Sequence, residues 1–156
     1  MTANAAGATF QAQNLALWLN GTPITGIADN AASSPLTNLY MALHTADPGS
    51  SGDQSVSEIA YTGYTRAAIA RNPASPAWTV SGSNPAQAVP NSNIAGFGTR
   101  SDSGASVTAS WVTLGTSATV GASSQFLFRA QLSPPIAITS GVTPTITTTS
   151  TKVTMD

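Results

Sequence analysis

The chain has 156 residues, enough for one domain with a real core and no dependence on metals or disulfides. Charged residues make up only 7%, the net charge is −1, and cysteine is absent. A disulfide framework and a thiolate metal site are therefore excluded. The cations Arg66, Arg71, Arg100, Arg129 and Lys152 form no cluster, which argues against a nucleic-acid partner, because such binding rests on neutralising phosphates. No stretch approaches the ~20 apolar residues of a membrane span, so no membrane partner is expected. Met1 to Ala8 carry no Lys or Arg, so no secretory leader is expected either. Ser and Thr together number 42. The surface they imply is hydroxyl-rich and nearly neutral, with little repulsion between copies. Such a surface suits a component of an assembly.

Residues 1–8 are small and polar and read as a flexible arm. The apolar set Phe10, Leu15, Leu17, Trp18 and Leu19, followed by Asn20-Gly21, predicts a short helix over about 10–19, with Thr9 placed to cap it. A connector runs from Pro23 to Pro35. Leu36 to Thr45 then alternates, with Leu39, Met41 and Leu43 on one face and Tyr40, Ala42 and His44 on the other, until Pro48-Gly49 ends it. Glu58 to Arg71 reads as a strand interrupted at Gly63, and Trp78 to Val80 as a short strand.

Residues 83–93 contain Pro85 and Pro90 and read as a loop or edge segment. Ile94 to Gly98 reads as a short strand, Val107 to Leu114 as a stronger one anchored by Trp111, and Phe126 to Leu132 as another, ended by Pro134-Pro135. Thr145 to Met155 is rich in β-branched threonine and reads as a final strand. Strands at this spacing, separated by Gly and Pro, predict an all-β chain. The expected architecture is a single-domain antiparallel β-sandwich of jelly-roll type over 9–156, with one short N-terminal helix.

The segment Leu39-Tyr40-Met41-Ala42-Leu43-His44-Thr45-Ala46-Asp47-Pro48-Gly49 resembles one found in small virion proteins of tailed bacteriophages. The resemblance continues, in order, through Tyr61-Thr62-Gly63-Tyr64-Thr65-Arg66, Trp78-Thr79-Val80-Ser81, Ser140-Gly141-Val142-Thr143-Pro144 and Val153-Thr154-Met155-Asp156. It touches most of the chain, and its specificity lies in the ordered set. The resemblance implies a virion structural protein assembled in the bacterial cytoplasm. Related proteins are capsid cement (decoration) proteins with jelly-roll-like folds, and others are labelled tail or tail-fibre proteins. The leading expectation is a decoration protein on the outer capsid surface that binds the major capsid protein and its own copies, as a dimer or trimer. The alternative is a tail or tail-fibre-associated structural or receptor-binding module.

Catalytic equipment is scarce, and no catalytic, cofactor or metal residue is assigned. His44 is the only histidine and no Gly-x-Ser-x-Gly elbow accompanies it, so it reads as a strand-end residue bonded to the next turn. Asp47, Asp53 and Glu58 lack the spacing of a calcium loop and read as loop carboxylates. Gly96-Phe97-Gly98 lacks the lysine and helix of a phosphate cradle. Four residues stand out as candidate assembly contacts: Phe10, Trp18, Arg66 and Arg71. The ordinary reading of Phe10 and Trp18 is internal docking of the helix, and that of the two arginines is surface charge. Tyr61, Tyr64 and Trp78 are the aromatics that a carbohydrate-binding rim would expose, and they read equally as core.

Overall fold

A computed structural model describes residues 8–24, 28, 36–50, 52–75, 77–82, 85–148 and 152–155. The expected arm falls mostly outside them, since the description begins at Ala8. Helix α1 (Ala8–Leu15) continues into a π-helical turn, Ala16–Asn20. Because the helix starts at Ala8, Thr9 lies inside its first turn and is not the cap. The end is as expected. Gly21 takes the left-handed conformation (φ 73°), so its N–H donates to the Leu17 carbonyl at 3.1 Å and that of Thr22 to Ala16 at 3.1 Å.

Seven strands follow: β1 (Asn38–His44), β2 (Ala67–Ala70), β3 (Trp78–Ser81), β4 (Ala86–Pro90), β5 (Val107–Gly115), β6 (Phe126–Ile138) and β7 (Val153–Met155). They build a four-stranded sheet of order β2-β1-β5-β6 and a three-stranded sheet of order β3-β4-β7. β1 pairs antiparallel with β5, β5 with β6, β3 with β4, and β4 with β7. Two mostly antiparallel sheets and one short N-terminal helix make up the mostly β class that the sequence predicts. The chain condenses into two compact units. One holds Met1–Asn38, Ala70–Asn93 and Thr147–Asp156, and the other Leu39–Ile69 and Ile94–Ile146. No helix among the described residues is long and apolar enough to cross a membrane.

In the first unit α1 packs on the three-stranded sheet. The buried residues Gln11, Leu15 and Leu19 recur every four positions and define the docked face of the helical segment. Beneath it β4 presents Ala86 and Ala88, both fully buried. Small side chains there let the helix approach closely enough for the Ala86 N–H to donate to Gln11 Oε1 at 3.0 Å. Trp78 on β3 is the largest fully buried side chain. Its indole N–H has no acceptor among the described residues, which offsets part of the gain from burying the ring.

β4 corrects the expectation of a loop or edge over 83–93. It is the central strand, paired to Trp78–Ser81 on one side and Val153–Met155 on the other. Pro85 precedes it and Pro90 is its last residue, so neither removes an interior ladder bond. β6 corrects a second expectation, because it runs through Pro134-Pro135. The register shifts between Ala109, which faces Ile136, and Trp111, which faces Gln131. The prolines fall in that irregularity, on an edge strand, where ladder donors are not required.

In the second unit β1 is buried on both faces, with Leu39, Met41 and Leu43 on one and Ala42 and His44 on the other. The expected strand over Glu58–Arg71 narrows to β2, and the expected strand at Ile94–Gly98 to a single bridge between Ile94 and Ile146. Gly63 explains part of this. It lies at φ 100°, and a Cβ there would meet the Thr99 carbonyl oxygen at 2.3 Å. Gly98, at φ 76°, would meet the Gly63 carbonyl oxygen at 1.9 Å. Two turns thus touch backbone to backbone, which only glycine permits. Phe97, next to Gly98, is fully buried.

Candidate functional site

Phe10 and Trp18 sit off the docked stripe of the helical segment and remain 44% and 38% exposed. This corrects the expectation of internal docking. The helix is fixed by Leu15, Leu19 and Gln11, which leaves the two aromatics on the outer side. Arg71 stands at the helix end. Its Nε donates to the Trp18 carbonyl at 2.7 Å, its Nη2 to the Leu17 carbonyl, and its Nη1 to the Leu36 carbonyl at 3.3 Å. A guanidinium on the last carbonyls of a helix meets the negative end of the helix dipole. Leu36 is itself 47% exposed. Arg71 therefore ties the backbone at the helix end to that of Leu36, a further exposed apolar residue that sequence reasoning missed. As an isolated leucine at a strand start it carries no signal of exposure.

Arg66, the fourth candidate contact, is elsewhere and is no surface cation: it is buried in the second unit. Its Nε donates to Glu58 Oε1 at 2.7 Å and its Nη2 to Glu58 Oε2 at 2.8 Å, a bidentate pair shielded from water. The remaining donors reach the Ala122 carbonyl at 3.1 Å, the Ser117 carbonyl at 3.1 Å, Ser124 Oγ at 3.1 Å and Gln54 Oε1 at 3.4 Å. Glu58 also accepts from the Gly121 N–H at 2.8 Å and the Tyr64 hydroxyl at 3.3 Å. The cluster fastens the 115–125 loop to the 54–66 segment. Gln54 lies flat on Gly115, where a Cβ would stand 2.3 Å from its carboxamide carbon. Gln54 and Ser124 had no signal in the sequence, since each lies in a polar loop.

His44 is fully buried beside this cluster. Its Nδ1 is 2.9 Å from the Val56 carbonyl and its Nε2 is 2.9 Å from Thr113 Oγ1. A carbonyl only accepts, so Nδ1 carries the proton and Nε2 accepts from the threonine hydroxyl. Burial pushes the imidazole below its ordinary value, and Arg66 adds to that, while the Val56 bond and Glu58 oppose it. The ring bonds the 53–58 loop and strand β5, not the turn at Asp47–Gly49 that the sequence suggests, and no serine and carboxylate join it in a triad among the described residues.

The three loop carboxylates each have a separate partner. Asp47 pairs with Arg129 and accepts the Gly49 N–H at 2.9 Å. Asp53 is held down to about 2 by the Ser123 hydroxyl, then by the hydroxyl and N–H of Ser55. Glu58 holds Arg66. No group of three metal-ligating side chains occurs among the described residues. Asp102 is held down to about 2, first by Arg100 and then by the Thr62 N–H at 2.8 Å. Of the candidate rim aromatics, Trp78 and Tyr64 are buried. Tyr61 is half-buried, its hydroxyl donates to the Phe97 carbonyl at 2.9 Å, and burial pushes it up to about 12.

A protein-family model described as "Podophage GP4 fiber I protein gp80" matches residues 24–154. No curated protein matches the sequence.

Proposed function

We propose, because the chain belongs to the podophage GP4 fiber I protein gp80 family, that it is an adhesive building block of a phage tail fibre. The family is one of phage structural proteins and not of enzymes. A tail-fibre structural role fits this membership better than the capsid cement that leads the reading of the sequence. The observation that carries the proposal is the extent of the match, which takes in every strand from β1 to β6 and reaches into β7.

The geometry supports an adhesive role. The polar groups that resemble active-site parts are buried and satisfied within the fold, as His44 and Arg66 show. The outward features are a hydroxyl-rich surface and exposed apolar side chains, Phe10, Trp18 and Leu36 among them. We assign Phe10 and Trp18 to contact with a second copy of the chain. The low charge of the chain lets copies approach without repulsion.

Quantitative mass spectrometry of purified virions tests the location. A fibre component should occur in on the order of tens of copies, as a symmetric appendage requires, and a shell decoration in hundreds. A copy number matching the major capsid protein would overturn the fibre reading. Phe10→Ser with Trp18→Ser should lower the self-association of the purified chain in sedimentation while leaving its circular dichroism unchanged. Unaltered sedimentation of the double variant would refute the assignment of Phe10 and Trp18.

A further inference from the structure

We propose that His44 is an acid-sensitive latch, and that its protonation releases the 53–58 loop from strands β1 and β5. Such a latch does not depend on the fibre reading, because it follows from the atoms around the ring. The imidazole is 0% exposed and is the only one in the chain. The neutral form with the proton on Nδ1 satisfies everything around it. Nδ1–H donates to the Val56 carbonyl, and Nε2 accepts from the Thr113 hydroxyl, which in turn accepts from Gln54 Nε2 at 3.3 Å.

A second proton on Nε2 breaks this order. Two donors then point at Thr113 Oγ1, from His44 and from Gln54, and the hydroxyl proton loses the acceptor it had. A charge also enters a site closed to solvent. The neighbours offer it little relief. Glu58 attracts it, but both Glu58 oxygens already serve Arg66, and one of them Gly121. Arg66 repels it. The Tyr64 hydroxyl is neutral, with its proton held more tightly than usual by burial, and accepts from the Leu43 N–H at 3.0 Å. β5 contributes Thr113 and no ionisable group at the ring.

The exposed element that touches the ring is the middle of the loop. Val56 is 40% exposed, and Ser57 holds φ 54°, a left-handed conformation that a non-glycine residue adopts only when its surroundings enforce it. The loop meets β1 and its continuation through Val56 to His44, the Thr45 N–H and hydroxyl to the Ser57 carbonyl at 2.9 and 3.3 Å, Gln54 Nε2 to the Tyr40 carbonyl at 2.9 Å and a bridge of Glu58 with His44, while Gln54 and Glu58 anchor its two ends in the Arg66 cluster. The low-energy response to a charged ring is for His44 to reach water by displacing this loop, leaving the apolar face of β1 in place. Release would expose Val56 and Gln54 at one end of the sheet.

Histidine C2–H NMR titration of the full chain, with amide hydrogen exchange of residues 53–58 between pH 8 and pH 5, tests the latch. This window lies above the ordinary carboxylate range. The latch predicts that His44 titrates below 6.5 and that loop exchange, corrected for its intrinsic pH dependence, rises about tenfold per unit of that shift. The two midpoints should coincide. His44→Gln, which stays neutral, should abolish the pH dependence of the loop. Should that variant fail to fold, coincidence of the two wild-type midpoints still decides the matter. Loop protection that is flat across the window, or a ring that titrates at 6.5 or above, would overturn the proposal.

Discussion

The four-stranded sheet and the three-stranded sheet are held by opposite means. In the first, a buried arginine, a glutamate, a glutamine, a tyrosine and a histidine bind two loops to strands β1 and β5. In the second, a helix lies on alanines, with Trp78, Leu15 and Leu19 filling the core and Gln11 and Asn20 each making one bond to the sheet. The polar cluster is directional and fails abruptly when one member is lost. The apolar layer is graded, and depends on volume more than on identity. The same contrast separates features: the loop-fastened unit carries the buried histidine, and the helix-covered unit carries the exposed aromatics Phe10 and Trp18.

The sharpest way to break the contrast is Arg66→Ala. It strands Glu58 in the interior and should cost about 3–5 kcal/mol in urea denaturation. Arg66→Lys should recover little of this, because an ammonium cannot reproduce the forked pair. On the apolar side, Ala88→Leu adds volume where none is free and should cost about 1–3 kcal/mol, read as a lower midpoint at unchanged slope. Arg71→Ala removes two bonds to carbonyls at the helix end and one to the Leu36 carbonyl, and should cost about 1–2 kcal/mol. Arg129→Ala breaks an exposed pair with Asp47 and a stacking contact on Trp111 at 5.5 Å. It should leave the urea midpoint nearly unchanged, and the more so in high salt.

Acid separates the same groups. His44 is depressed in the folded chain, so its contribution is present above 6.5 and lost as pH falls below that value. Asp53 and Asp102 are depressed from 3.8 to about 2, so their contributions persist to lower pH and are lost between those values. A thermal-shift series from pH 8 to pH 2 should therefore show two separate declines, and His44→Gln should remove only the upper one.

The β1 strand, the helix and the two-sheet class were legible because period-two and helical apolar spacing report burial directly. Strand β4 was hidden because Pro85 and Pro90 read as breakers when they in fact bound the element. β6 was cut short for the same reason, and a register shift absorbed the prolines. Arg66 read as a surface cation because its partners Glu58, Gln54 and Ser124 are scattered through the chain, and no local pattern joins them. Phe10 and Trp18 were legible as special residues, but their exposure was not, since the docked stripe depends on the polar Gln11 being buried. The resemblance named the right kind of particle, and the family match moves the expected position from shell to fibre.

Immunogold electron microscopy of intact virions, with antibodies raised against the folded chain, tests the fibre assignment most directly. The account predicts gold on the tail fibres and none above background over the capsid. Gold distributed over the shell would contradict it.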